Sequence, residues 1–388
     1  MTPHYSPQLR IPGPTPIPER VQRAMAKPMV DHRGPEFAAL LKDVTAGARR
    51  VFQTQGDLLL LTCSGSGGLE SAVANTVSPG DQVVAAVCGN FGERFAAIAT
   101  AYGAEVVRLD FEWGQPVDPD DLRRVLADHP HAKTVLLTHN ETSTALTNPL
   151  PRLAQVAREA DRLVLVDGVS SISSIPIETD AWGVDVAVSA SQKGWMSPPG
   201  IAFVSVSARA WERQREARSP RFYLDWAQAR EWAGKGMTPF TPALSVLYGV
   251  QEGIRMLEEE GLENVHRRHR RLADAMAAGL EAAGFSLFAA AGYRSATVTG
   301  ALPPPGLEVE ALRRLLAERH GVVIAGGQGK MSGRMIRVGH LGAVAEGDVV
   351  QVLWAVEQAL EELDVAPADT RSLRAANQVL AEVPAAAG

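Results

Sequence analysis

Short apolar runs recur along the first half of this 388-residue chain, at 58–62, 82–87, 105–109, 134–138, 163–166, 184–189 and 201–206. Helix-period segments such as 91–102 and 150–160 fall between them. Runs of valine, isoleucine and leucine separated by amphipathic stretches of this length are the pattern of parallel βαβ units. The reading is therefore an α/β fold, with a mostly parallel, doubly wound sheet in a large domain. Residues 12, 14, 16 and 18 are all proline, which removes backbone donors and fixes φ, so the opening stretch is an extended arm. After 207 the pattern changes to tryptophan-rich helix and loop, and a helical run over 244–260 closes the large domain. Helical stretches at 266–283, 308–320 and 346–363 then alternate with strand-like 295–299 and 335–338, which predicts a smaller C-terminal α+β domain. The expected division is an arm at 1–20, a large domain at 21–260, a small domain at 261–365 and an alanine-rich tail at 366–388 with little periodic signal.

Composition narrows the function classes. A formal net charge of −6 creates no field that attracts phosphate backbones, so no nucleic-acid partner is expected. Cys63 and Cys88, the only cysteines, each end an apolar run and fit a reducing cytoplasm better than a disulfide framework. No basic segment followed by an apolar one opens the sequence, and no run approaches about 18 apolar residues, so neither secretion nor a membrane is expected. No metal is expected either: His266 and His269 lie in the run His266-Arg267-Arg268-His269-Arg270-Arg271, which reads as a solvated helix face.

The chemistry-bearing residues stand where apolar runs hand over to loops. Asp167 ends the run 163–166, and Gln192-Lys193 follows the run 184–189. In open α/β sheets that edge is the ligand crevice. An acid and a lysine brought there match what pyridoxal phosphate needs, a carboxylate facing its pyridine nitrogen and an amine forming a Schiff base with its aldehyde. Lys193 sits between Ser189-Ala190-Ser191-Gln192 and Gly194-Trp195, a setting too apolar for a freely solvated ammonium, and burial makes such an amine more nucleophilic. Thr62-Cys63-Ser64-Gly65-Ser66-Gly67-Gly68 gathers hydroxyls and free amides at the head of a helix, a place for phosphate.

Taken together, Pro12-Gly13-Pro14-Thr15, Ser64-Gly65-Ser66-Gly67, His139-Asn140-Glu141-Thr142-Ser143-Thr144, Val166-Asp167-Gly168-Val169, Ser191-Gln192-Lys193 with Pro198-Pro199-Gly200, and Arg337-Val338-Gly339-His340-Leu341-Gly342 resemble the class V aminotransferases of pyridoxal-phosphate fold type I. The alanine-glyoxylate and serine-glyoxylate branch is the nearest likeness. The resemblance implies that Lys193 holds pyridoxal 5'-phosphate covalently, Asp167 pairs with the ring nitrogen and Val169 packs on the ring. It places Ser64, Gly65, Ser66 and Gln192 on the phosphate, and Phe91 where relatives often stack a tryptophan or tyrosine. Thr142, or its neighbour Ser143, falls near the ring oxygen, and Arg337 clamps the substrate carboxylate. Thr241, or Thr238, would reach the phosphate of a neighbouring subunit, which implies a two-fold homodimer with sites at the interface. Arg33 is a second basic residue that the amino-terminal segment would bring near the site. The implied reaction moves an amino group from alanine or serine to a 2-oxo acid such as glyoxylate or pyruvate. Competing readings are a phosphonate transaminase, a lyase or cysteine desulfurase, and a noncatalytic relative; the desulfurase needs a mobile cysteine late in the chain, and none follows Cys88.

Overall fold

A computed structural model describes residues 7–382. Its strands are β1 (Gln8–Arg10), β2 (Asp57–Leu61), β3 (Gln82–Val87), β4 (Glu105–Asp110), β5 (Thr134–Thr138), β6 (Asn140–Glu141), β7 (Leu146–Thr147), β8 (Leu163–Asp167), β9 (Val186–Ala190), β10 (Ala202–Val206), β11 (Ser286–Leu287), β12 (Val298–Leu302), β13 (Val322–Gly326) and β14 (Ile336–Gly339). The helices are α1 (Glu19–Met25), α2 (Pro35–Phe52), α3 (Gly65–Thr76), α4 (Asn90–Ala101), α5 (Pro119–Asp128), α6 (Leu150–Glu159), α7 (Ala208–Glu216), α8 (Trp226–Gly234), α9 (Leu244–Glu260), α10 (Leu262–Ala282), α11 (Val309–Arg319), α12 (Glu346–Glu362) and α13 (Arg371–Ala381).

The large sheet runs β2-β10-β9-β8-β5-β3-β4, and β10 alone is antiparallel to its neighbours. Strands β5, β8, β9 and β10 are buried along their whole length, because helices cover both faces of the sheet. One face packs on α2, α5, α6 and α9 through residues such as Phe37, Leu122, Leu153 and Ile254, and the other on α3, α4, α7 and α8 through Leu69, Phe95, Trp211 and Trp226. This is the doubly wound α/β architecture expected from the sequence. Trp195 is fully buried, stacks on Phe203 with centroids 4.2 Å apart and donates Nε1 to Ser189 Oγ at 2.8 Å, which pins the loop after β9 to the sheet. Trp195→Ala is expected to destabilise the fold by about 3–5 kcal/mol; an unchanged urea midpoint would show that this packing does not hold the loop.

The second sheet runs β1-β13-β14-β12-β11 and packs against α10, α11, α12 and α13 through a separate core. Its edge strand β1 comes from the amino-terminal arm and pairs in parallel with β13. Several features depart from the sequence reading. The strand expected at 295–299 begins at Val298, because Arg294 bridges to Leu146 and Ser295 and Thr297 bond each other's polar atoms. The stretch read as a featureless tail contains α13, whose Ala376 and Leu380 enter the small-domain core. His269, read as part of a solvated face, is buried and its Nε2 accepts the Gly342 N–H at 3.1 Å, while Arg268 donates to the carbonyls of Gly342 and Val344. Among the described residues no helix is long and apolar enough to cross a membrane.

Candidate active site

The parallel strands deliver their last residues to one edge of the large sheet, and the small domain's β14 faces that edge. Asp167 is the final residue of β8 and is buried; its Oδ1 accepts the Val169 N–H at 3.0 Å. Burial raises this carboxyl to about 6, and Glu141 adds to the rise, while the Val169 N–H, Lys193 and Arg94 oppose it. Lys193 lies in the turn after β9 and donates Nζ to the carbonyl of Pro12 at 2.6 Å. Burial lowers its ammonium from the ordinary 10.5 to about 8; Asp167 works against that shift, and Arg337 and Arg94 reinforce it. The amine therefore spends a substantial fraction of its time neutral near neutral pH.

The arm is part of this arrangement. Thr15 N donates to Gln192 O at 3.1 Å and Thr15 Oγ1 to Lys193 O at 3.0 Å. A Cβ at Gly13, whose φ is +127°, would stand 2.7 Å from Lys193 Nζ, so only glycine allows the arm to pass this close.

Ser64 caps α3, its hydroxyl accepting the Gly67 N–H at 3.4 Å, and the N–H groups of Gly65 and Ser66 are orphan donors of the helix's first turn. A Cβ at Gly65 would meet Val169 Cγ2 at 2.9 Å, so glycine there lets the helix head lie against the partly exposed Val169. Gln192 Oε1 is buried with no hydrogen-bond partner among the described residues. An amide carries donor and acceptor on one terminus, so turning it over presents its NH2 instead. These unsatisfied groups, a helix head and a buried amine opposite a buried carboxylate fit a phosphorylated pyridine aldehyde of the kind the sequence motifs imply.

Glu141, which the sequence reading quoted within a motif but gave no role, organises the next part. Fully buried, it accepts the N–H groups of Phe91, Gly92 and Ser143 and the hydroxyl of Ser143. Burial raises its pKa while those hydrogen bonds hold it down. This fixes the head of α4 and with it Phe91. A Cβ at Gly89 would collide with Glu141 at 2.4 Å, which explains glycine at that turn. Arg94, also without a sequence-derived role, stands one helical turn beyond Phe91, places its guanidinium 4.9 Å from that ring and donates to Ser66 Oγ at 3.1 Å. The spacing of three residues on a helix was the one signal that could have found it.

The Thr142 and Ser143 hydroxyls have different partners. Ser143 Oγ is engaged by Glu141 and by Asn90 N, whereas Thr142 Oγ1 donates to Ser170 Oγ at 2.7 Å. The carbonyl of Thr142 accepts Arg337 Nη1 at 3.2 Å. Arg337, on β14 and buried, also donates Nε to Gly326 O at 2.8 Å and Nη1 to Gln328 Oε1 at 3.3 Å, and its Nη2 makes no hydrogen bond among the described residues. Burial lowers its pKa to about 10, with Glu141 raising it. Gln328, which holds the guanidinium in place, carried no recognisable sequence signal.

Three other residues singled out in the sequence make their contacts elsewhere in the protomer. Arg33 donates to Thr238 O at 2.6 Å and Pro239 O at 3.2 Å and lies 4.4 Å over the Trp232 ring. Thr238 Oγ1 donates to Phe240 O at 2.8 Å, and Thr241 is exposed. The same loop carries an exposed aromatic cluster: Phe222 and Tyr223 are 71% and 47% accessible, and Tyr223 stacks on Phe240 at 4.8 Å.

Residues 12–343 match the class-V aminotransferase family. The chain is 41% identical to a protein of Synechococcus sp. named soluble hydrogenase, small subunit, over 92% of this chain and 93% of that one. It is 36% identical to the serine–glyoxylate aminotransferase of Methylorubrum extorquens over 97% of both chains. The crystal structure of an alanine–glyoxylate aminotransferase from Nostoc sp. superposes with a TM-score of 0.89 at 34% identity, covering 93% of this chain and 97% of that one.

Proposed function

The chain belongs to the class-V aminotransferase family, and from that membership we propose that it moves the amino group of a small amino acid, alanine or serine, onto a small 2-oxo acid such as glyoxylate or pyruvate. Its cofactor is pyridoxal 5'-phosphate. The observation that carries the reading is the buried Asp167 and Lys193, each shifting the other's ionisation, at the strand edge that Arg337 reaches from the second domain.

When bound, pyridoxal phosphate supplies an electron-withdrawing ring that stabilises negative charge at the substrate's α-carbon. Asp167, kept anionic once a positive ring nitrogen faces it, holds that nitrogen protonated. Lys193, first the covalent anchor and then a free amine, moves a proton to and from the substrate α-carbon, and a pKa of about 8 suits both directions near neutral pH. Ser64, Gly65, Ser66 and Gln192 hold the phosphate, with Arg94 behind Ser66. Val169 and Phe91 take the two ring faces, and Thr142 stands nearer the ring than Ser143, whose hydroxyl is occupied in capping α4. Arg337 offers its unpartnered Nη2 beside Nη1 to the substrate carboxylate, a two-point contact that a planar guanidinium favours.

The assembly in this reading is a homodimer. The exposed Phe222, Tyr223 and Phe240 cluster supports it, being the kind of apolar surface a second copy covers. Thr241 on that loop then reaches the partner's phosphate, and Arg33 shapes the loop. A cytoplasmic location is supported by two free cysteines, whose thiols burial pushes up to about 12. Thiols held protonated are poor metal ligands, so the hydrogenase name of the Synechococcus protein is not carried over.

Two measurements test the reading. The neutral amine is the nucleophile toward the cofactor's aldehyde. The rate at which the visible band develops when cofactor-free protein meets pyridoxal phosphate is therefore expected to rise with pH through about 8 and then level off. A rise continuing toward the ordinary 10.5 would contradict the lowered pKa. For the reaction itself, alanine and serine are expected to bleach the band of the loaded enzyme in single half-reactions, and glyoxylate to restore it. A loaded enzyme whose band no small amino acid bleaches would refute the assignment.

A further inference from the structure

Outside the site just described, a cavity of about 210 Å³ lies between α10 and β12. One stripe of α10 forms a wall: Arg270, Ala273, Asp274, Ala277, Ala278 and Glu281 recur at helical spacing, so small side chains create the hollow and charged ones rim it. The opposite wall brings Ala145, Arg294, Thr299 and Gly300. The volume is below the roughly 300–1,000 Å³ of sites for drug-sized ligands, and equals about seven waters at roughly 30 Å³ each, which restricts an occupant to a small metabolite.

The rim is balanced but incompletely paired. Arg294 Nη2 stands 3.4 Å from Glu281 Oε1, and Arg270 Nη1 donates to Arg294 O at 3.0 Å. Arg294 Nε is buried without a partner, and Asp274 forms no ion pair among the described residues although both arginines act on it electrostatically. Two guanidiniums and two carboxylates around an apolar floor favour a ligand carrying one charge of each sign. A monoanion would leave Asp274 facing like charge, and a dianion doubly so.

We propose that this cavity binds a free amino acid as a zwitterion, its carboxylate toward Arg270 and Arg294, its ammonium toward Asp274 and Glu281, and a branched aliphatic side chain on the floor formed by Ala145, Ala277, Ala278 and Leu287. The occupant is an effector distinct from the reacting substrate. Its wall is tied to the active site by backbone: Ser295 N donates to Ala145 O at 2.9 Å and Thr147 N to Tyr293 O at 2.8 Å, three and five residues beyond Thr142. Gly300 is the direct cross-strand partner of Arg337. Filling the cavity therefore acts on the two groups that meet at the carboxylate clamp, and changes the KM for the amino acid substrate more than kcat. That second effect rests on the aminotransferase reading; the binding does not.

Equilibrium dialysis of labelled L-valine against the holoenzyme tests the proposal. Wild type and Arg337→Ala are expected to bind one equivalent with similar affinity, while Asp274→Asn and Ala278→Phe each weaken it by about tenfold or more. Asp274 is exposed on its helix, so that variant folds even if the filled cavity of Ala278→Phe does not. Absence of binding to wild type, loss of all binding in Arg337→Ala, or undiminished binding in both cavity variants would overturn it. Valine bound in the cavity of an enzyme that transfers no amino group would instead sink the function reading and leave this one standing.

Discussion

Lys193→Ala is expected to abolish the visible band of bound pyridoxal phosphate and to lower turnover by about ten-thousandfold or more, the upper end of what one positioned acid–base group contributes. Two roles converge on this side chain. It is the amine nearest Asp167 in charge terms, and its lowered pKa makes it the chain's best nucleophile for an aldehyde and its best proton carrier near neutral pH. Its single hydrogen bond, from Nζ to Pro12 O, is the only polar contact of the side chain lost on truncation, so the fold should survive. Added ethylamine should then restore part of the turnover by entering the space left behind. A structural role for Lys193 would not respond to a soluble amine, and a variant that keeps band and turnover would remove the assignment.

Asp167→Asn is expected to lower kcat on the order of a hundredfold, the scale of losing one preorganised charge from a closed site. The amide retains size and still accepts from Val169 N–H, so the loss isolates charge. Burial lifts the carboxyl to about 6, and a positive ring nitrogen in front of it would draw that value back down, which ties the ionisation of each to the other. The KM for the amino acid should change little, because Arg337 on the other domain holds the substrate carboxylate. Steady-state kinetics distinguishes the outcomes: an equal rise in KM with kcat intact would move Asp167 from ring chemistry to substrate binding.

Much of this architecture was legible as sequence because a strand buried on both faces has no polar positions. Strands β3 and β5 coincide with their apolar runs, and Asp167 and Lys193 stand where such runs end. What escaped was of a different kind. Strand β13 is a short Val322-Val323-Ile324 run bordered by glycines, and it gains its identity from pairing with β1 and β14, which are distant in sequence. Helix α13 hides in an alanine-rich segment whose apolar face is only evident once Ala376 and Leu380 meet the small-domain core. Glu141 reads as a surface acid until the fold folds it beneath the head of α4, where backbone N–H groups alone satisfy it. Gln328 and Arg94 likewise derive their roles from who stands opposite, and a charged residue on an exposed turn gives no periodic signal. The Thr241 loop is a harder case, since its expected contact belongs to a second protomer.

Borohydride reduction of the loaded enzyme, followed by proteolysis and mass spectrometry, addresses the central claim most directly. The chain has six lysines: Lys27, Lys42, Lys133, Lys193, Lys235 and Lys330. A pyridoxyl-phosphate adduct confined to the peptide containing Lys193 is the expected result; an adduct on any of the other five, with the Lys193 peptide unmodified, would contradict it.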